Sequence, residues 1–214
     1  MMDQSFWHSR WEKSEIAFHE GTPNHFLETC LPGMDLPPSR IFVPLCGKAY
    51  DMVWLAQAGH TVIGAEFEEI AVREFFEAVA PEQKLEELGR GGRYEWGPFT
   101  IFNGDLFGLT AADLGAIDFV YDRGALVALP EEMRAKYAAH LTQITGAAPQ
   151  LLVSYDFNSD PEAGPPHGVF ADEIADQYSA AYYMVELGRR PLTGPLAQRR
   201  PTGGDEVAWL LSPH

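Results

Sequence analysis

The sequence predicts a single α/β domain, a mostly parallel sheet with helices on both faces, and three observations predict it. Short apolar runs alternate with stretches of helical periodicity through the middle of the chain. Glycines such as Gly47 and Gly59 fall at the joins, where the chain must turn. With 214 residues, 46% of them hydrophobic, and with 13 Phe, 8 Tyr and 5 Trp, the chain carries apolar surface for one sizeable core.

Taken in order, Ile41-Phe42-Val43 reads as the first strand, followed by a turn at Gly47 and a helix over 49–58 that Gly59 stops in a position tolerating positive φ. Thr61-Val62-Ile63-Gly64-Ala65 reads as the second strand. The helix after it sets Val72, Phe75, Phe76 and Val79 at i, i+3, i+4 and i+7, one apolar stripe. Residues 81–98 are rich in Glu and Gly, including Gly89-Arg90-Gly91-Gly92, and suit a solvated loop or hairpin before a third strand at 99–103. Ile117-Asp118-Phe119-Val120-Tyr121 gives a fourth strand. Pro130 followed by Glu131 and Glu132 then opens a helix whose acidic first turn suits its dipole, with Met133, Tyr137, Leu141 and Ile144 on the buried side. A fifth strand is expected at 151–155. Pro161, Gly164, Pro165 and Pro166 interrupt regular structure, and a helix near 172–178 with strands near 182–187 and 207–211 completes a seven-stranded sheet.

A formal net charge of −16, from 31 acidic residues against 15 Lys plus Arg, repels polyanions and argues against nucleic acid as ligand or substrate. The chain has no apolar run of membrane-spanning length, and its opening residues lack a signal peptide's apolar stretch. Its two cysteines, Cys30 and Cys46, suit a reducing compartment. The expectation is a cytoplasmic protein without membrane attachment, and a monomer, since no exposed apolar heptad is evident. The seven His residues show no H-x-x-x-H grouping and no C-x-x-C occurs, so no metal is expected.

In an open parallel sheet the ligand lies beyond the carboxyl ends of the strands, which draws attention to Pro44-Leu45-Cys46-Gly47-Lys48, Glu66, Gly104-Asp105 and Asp122-Arg123-Gly124. Glu66 stands 19 residues after Gly47, close to the interval at which a carboxylate meets the ribose hydroxyls of an adenosine cofactor; an ordinary solvated strand end explains it equally well. The first turn lacks G-x-G-x-x-G and no Walker loop occurs, so pyrophosphate is disfavoured while a phosphate-free cofactor such as S-adenosylmethionine is allowed. Cys46 has no His near it in sequence and reads as a small buried hydrophobe rather than a nucleophile.

Several motifs in register carry a resemblance. Phe42-Val43-Pro44-Leu45-Cys46-Gly47-Lys48-Ala49, Gly59-His60-Thr61-Val62-Ile63-Gly64-Ala65-Glu66, Tyr121-Asp122-Arg123-Gly124-Ala125-Leu126 and Ser154-Tyr155-Asp156 with Gly164-Pro165-Pro166 resemble the thiopurine S-methyltransferase family of the bacterial type. Phe6-Trp7, Trp11-Glu12 and Ala17-Phe18-His19 are similar to its opening.

The resemblance implies a Rossmann-like class I S-adenosylmethionine-dependent methyltransferase fold and S-adenosyl-L-methionine as cofactor. It implies transfer of a methyl group to a thiol or other soft sulfur, selenium or tellurium small molecule. Cofactor contacts would come from Trp11, Leu45, Gly47, Glu66, Asp105 and Arg123, with Trp11 as cover and Asp105 near the adenine. Without the resemblance, Trp11 reads as core packing, Leu45 as ordinary core and Arg123 as a salt-bridge partner of Asp122 or another acid. Acceptor contacts are expected from Phe18, Pro165, Pro166 and Arg199, with Arg200 an alternative to Arg199; Arg123 and Asp156 are the catalytic candidates. Residues 1–38 would cap the cofactor and 157–204 would form the acceptor side. A halide or oxygen acceptor, or a cofactor-binding protein without turnover, stays open at this point.

Overall fold

The computed structural model describes residues 4–13, 21–81, 87–88, 92–158, 164–200 and 202–214. Its strands are β1 (Arg40–Pro44), β2 (Thr61–Glu66), β3 (Glu87–Leu88), β4 (Arg93–Trp96), β5 (Phe99–Asn103), β6 (Phe119–Arg123), β7 (Gln150–Asp156), β8 (Tyr182–Pro191) and β9 (Asp205–Pro213). They form one sheet in the order β3-β4-β5-β2-β1-β6-β7-β9-β8. The block β5-β2-β1-β6-β7 is parallel, flanked by antiparallel β4 and β9. The two strands beyond the seven expected are β3 and β4, a hairpin within the Glu- and Gly-rich segment that adds to the edge at β5.

The helices are α1 (Gln4–Glu12), α2 (His25–Cys30), α3 (Tyr50–Gln57), α4 (Glu69–Val79), α5 (Ala111–Leu114), α6 (Glu131–Thr145), α7 (Ala171–Tyr178) and α8 (Gly194–Gln198). Strand side chains alternate between two cores, as a pleated ribbon requires. Ile41, Val43, Val62, Tyr121, Leu151 and Val153 meet α2, α3 and α4 through Phe26, Met52, Leu55, Val72, Phe75 and Phe76. Phe42, Ile63, Val120 and Leu152 meet α5, α6 and α7 through Leu114, Tyr137, Leu141, Ile144, Ile174 and Tyr178. Each such side chain contributes about 1.5–3 kcal/mol on burial. The apolar stripe read on α4 is the face it buries: Val72, Phe75 and Phe76 are fully covered and Val79 packs beside them.

The fourth strand begins two residues later than the sequence suggested. The Asp118 carboxylate accepts from the Arg40 N–H at 2.7 Å, and the Arg40 guanidinium donates to the carbonyls of Ala116 and Leu114, which pins 116–118 as a bend against the start of β1. The ladder therefore starts at Phe119, and Asp122 and Arg123 become the last two strand residues rather than a loop.

The chain builds β1, β2 and β5 outward on one side, then returns to β6 and β7 on the other, so strand order reverses between β1 and β6. The crevice opened there, beyond the carboxyl ends of both strands, is where an open α/β sheet takes its ligand. Among the described residues no helix is long and apolar enough to cross a membrane.

Candidate active site

A cavity of about 300 Å³ lies at this reversal point, walled by the turn after β1, the end of β2, the end of β6, α1 and the segments around Pro165 and Arg199. Pro44 ends β1, and Leu45 and Gly47 both take left-handed backbone conformations, φ 44° and 53°. For a leucine this costs on the order of 1–3 kcal/mol, strain that persists only where surroundings impose it. Both residues line the cavity. Cys46, between them, also borders the cavity, while its Sγ would stand 2.8 Å from a Cβ on Gly64 and so packs against bare backbone of β2. Burial pushes its thiol well up, in keeping with a structural role.

Glu66 closes β2 with its side chain buried at the cavity wall. One carboxylate oxygen accepts the Gly47 N–H at 2.7 Å and the other the Glu68 N–H at 2.8 Å. Burial raises this carboxyl to about 7, a shift that the N–H bonds from Glu68 and Gly47 partly offset. A carboxylate has about four acceptor sites, more than the backbone N–H groups here occupy, so a buried acid with acceptor capacity to spare stands at the cavity wall beside a turn free of side chain at Gly47.

Helix α1 covers the turn. A Cβ on Gly47 would meet the ring of the buried Trp11 at 3.5 Å, and Lys48, paired with Glu74 at 2.6 Å, lies 5.8 Å from the same ring. His8 holds the helix down through Glu68 at 3.0 Å and also meets Glu12 at 3.3 Å; the bond to Glu68, then the charge of Glu12, raise its pKa. Phe6, Trp7 and Arg10 add to this wall.

Alternation within β6 separates Asp122 from Arg123. Asp122 is buried on the α6 side, accepting from the Tyr137 hydroxyl at 2.7 Å and the Leu126 N–H at 3.3 Å, and burial lifts its carboxyl to about 6. Arg123 lies on the cavity side with Gly124 beyond it. Of the acids weighed as partners for Arg123, Asp122 instead spends its carboxylate on the Tyr137 hydroxyl and the Leu126 N–H.

On the opposite wall, Pro165 and Pro166, joined by a cis bond, line the cavity with Tyr155. They are fixed by the His167 N–H donating to the Val127 carbonyl at 2.7 Å and the Val169 N–H to the Tyr155 carbonyl at 2.8 Å. Arg199 lines the wall. Arg200 instead donates to the Pro166 carbonyl at 3.2 Å and lies over the Phe157 ring at 4.6 Å, supporting the proline wall from behind.

Of the residues singled out in the sequence, Trp11, Leu45, Gly47, Glu66, Arg123, Pro165, Pro166 and Arg199 come together here. Phe18 lies outside the described residues. Asp105 stands apart from the cavity lining, its side chain accepting the Phe107 N–H at 3.0 Å to cap the next turn. Asp156 likewise lies off the lining and meets Arg189 at 2.9 Å. Sequence reasoning missed Arg190 and Glu206, whose pairing depends on the register of the last two strands, and Trp7, for which helix phase was the available signal.

A family model described as Thiopurine S-methyltransferase (TPMT) matches residues 2–209. The thiopurine S-methyltransferase of Xanthobacter autotrophicus is 42% identical over 212 residues, 98% of this chain and 99% of that protein. That of Gluconobacter oxydans is 41% identical over 209 residues, 97% of this chain and 94% of its own. Among solved structures, a Burkholderia thailandensis 1,6-didemethyltoxoflavin-N1-methyltransferase with bound S-adenosylhomocysteine aligns with a TM-score of 0.68 at 13% identity, covering 98% of this chain and 87% of that one. A Synechocystis magnesium protoporphyrin IX methyltransferase with bound S-adenosylmethionine gives 0.59 at 16%, covering 99% and 93%. At such identities the likeness shows the shared Rossmann-like fold. With the family model spanning nearly the whole length and relatives above 40% identity along it, the chain belongs to the thiopurine S-methyltransferase family, methyltransferases whose cofactor is S-adenosyl-L-methionine.

Proposed function

We propose that the cavity between β1 and β6 seats S-adenosyl-L-methionine and that the protein moves its methyl group directly to a thiol or other soft sulfur, selenium or tellurium atom of a small molecule. The observation that carries this reading is the Glu66 carboxylate, buried at the end of β2 and lining the cavity with more acceptor sites than its backbone N–H partners occupy. Such a group matches a vicinal diol, which offers two hydroxyl donors in one plane. Gly47 and Trp11 fit the same ligand: the turn at 47 takes the positive φ that favours glycine, and the Trp11 ring lies directly over it. The cofactor, when bound, supplies a methyl group already activated by a sulfonium centre.

The protein's own part is to hold, align and dry. Glu66 would grip the ribose, Leu45 and Gly47 would line its path, and Trp11 on the 1–38 segment would exclude water. Arg123, at the end of β6, would hold the acceptor in its anionic form. A free thiol has a reference pKa near 8.5, so a guanidinium beside it has only a modest gap to close at neutral pH. Pro165, Pro166 and Arg199, in the 157–204 segment, would form the acceptor's wall. Asp105 would contribute backbone near the adenine, its carboxylate being spent on the Phe107 cap. Asp156 receives no role here, since its carboxylate meets Arg189 off the cavity.

Incubation with labelled S-adenosylmethionine and a panel of aromatic thiols, 6-mercaptopurine and selenium or tellurium oxyanions tests the proposal. Label is expected on at least one sulfur or selenium acceptor. Tight cofactor binding with transfer only to oxygen or halide acceptors, or with none, contradicts it.

A further inference from the structure

Strand β8 carries two adjacent arginines whose fates differ. Arg189 is absorbed outside the cavity by Asp156, Asp205 and Glu186. Arg190, on the other face, lines the cavity. A bulge between Glu186 and Gly188 sets this phase, and bulges commonly re-aim a side chain beside a site. Gly188 lets β8 settle on α2, for a Cβ there would stand 3.2 Å from the Phe26 ring.

The Arg190 guanidinium is clamped. Its Nε donates to the Glu206 Oε2 at 2.6 Å, its Nη2 lies 2.5 Å from the same oxygen, and its plane sits 5.6 Å from the centre of the Phe26 ring. Glu206 is in turn held from behind: Asn24, fully buried, donates to its Oε1 at 2.7 Å while capping α2 through the Phe26 N–H. Asn24 is itself fixed by its own N–H on Asp51 at 2.6 Å. Five N–H bonds in a planar fork are more than Glu206 consumes, and the remainder sit on a rigid, charge-balanced frame at the cavity wall.

Between Arg123 on β6 and Arg190 on β8 lie three strand spacings, about 14 Å; Tyr155, Glu206 and Arg190 share one cross-strand row, and Arg123, opposite Val153, stands two residues along from it. Leu192, Leu196 and Pro195 make the wall nearby apolar. We infer that Arg190, positioned by Glu206, anchors a carboxylate-type anionic group of the methyl acceptor, at the end of a flat apolar body remote from its nucleophilic atom. The inference rests on the acceptor being seated in this cavity, as proposed above, and adds its chemical class: a small apolar thiol with an anionic tail.

Calorimetric titration of 4-mercaptobenzoate and 4-methylbenzenethiol, with and without S-adenosylhomocysteine, reads acceptor binding whether or not methyl transfer occurs. Failure of the cofactor reading shows separately, as absent binding of S-adenosylhomocysteine. The wild type is expected to bind the carboxylate at least about tenfold more tightly than its methyl analogue, one charge-assisted contact's worth. Arg190→Gln should erase that ratio and Arg190→Lys retain part of it. Because Arg190→Gln strands a buried carboxylate, the double variant Arg190→Gln/Glu206→Gln, with a neutral pair, should show the same collapse in a folded protein. Equal or undetectable binding of the two thiols by the wild type, or a ratio that survives both Gln variants, overturns the inference.

Discussion

A carboxyl group buried at a cavity wall and raised to about 7 sits at its own midpoint near neutral pH. Hydroxyl donors stabilise only its ionised form, so cofactor affinity should fall as pH drops below 7, by up to about tenfold per unit. Calorimetry with S-adenosylhomocysteine at pH 8 and pH 6 reads this, and Glu66→Gln should bind weakly with little pH dependence. Stability runs the other way. The folded value lies above the ordinary carboxylate range, so the unliganded protein gains stability at low pH and loses it as pH rises through about 7; Asp122, raised to about 6, adds in the same direction. Urea unfolding without ligand should therefore show a loss on the order of 1–3 kcal/mol between pH 5.5 and pH 8, smaller in Glu66→Gln. Arg123→Ala should lower turnover more than it lowers cofactor affinity. At this scale the sequence supplied Glu66 through its spacing from Gly47, whereas its burial and N–H partners depend on the β1–β2 register and could not be read. Asp105 and Asp156 stood at strand ends as legibly as Glu66 did. What occupies their carboxylates is a local cap in one case and, in the other, an arginine on a strand far along the chain.

Elements decide which of these side chains meet. The turn after β1 can bend toward α1 because Cys46 tucks against Gly64 of β2. Gly64→Ala would drive a methyl to 2.8 Å from Sγ and 3.2 Å from Ile101, so a loss of about 1–3 kcal/mol is expected on thermal or urea unfolding. Cys46→Ala in the same chain should recover part of it. Helix α1 is the cover, and Trp11→Ala should weaken S-adenosylhomocysteine binding by at least about tenfold, since a buried indole offers one of the larger apolar contacts a ligand can find. The alternation of apolar runs and helical stripes made the β1-α3-β2-α4 unit legible, down to Val72, Phe75 and Phe76 facing the core. The start of β6 was not, because Ile117 is apolar enough to join the strand while Asp118 is held out of it by Arg40. The length of β8 was hidden as well: the strand expected near 182–187 does not stop there, because Leu187 is the unpaired residue of a bulge and Gly188 resumes the pairing that carries the strand on to Pro191.

Across the whole molecule, a chain of net charge −16 gathers Arg10, Lys48, Arg123, Arg190 and Arg199, a third of its 15 basic residues, around one cavity whose lining also holds the acids Glu66, Glu68 and Glu206. A modest excess of basic side chains at one cavity in an acidic surface favours small anions there, while the surface as a whole repels polyanions. Raising ionic strength from about 0.05 to about 0.5 M should thus raise KM for an anionic thiol several-fold and leave that for a neutral thiol nearly flat. Composition alone gave the acidic surface, and only the fold revealed where the opposite charge collects. All of this converges on one carboxylate at the end of β2, and a crystal structure with S-adenosylhomocysteine tests it most directly. The expected result places both ribose hydroxyls within about 3 Å of the Glu66 oxygens, with Trp11 over the ligand. A ligand bound elsewhere, or one whose ribose faces solvent with Glu66 still holding only the N–H groups of Gly47 and Glu68, would contradict it.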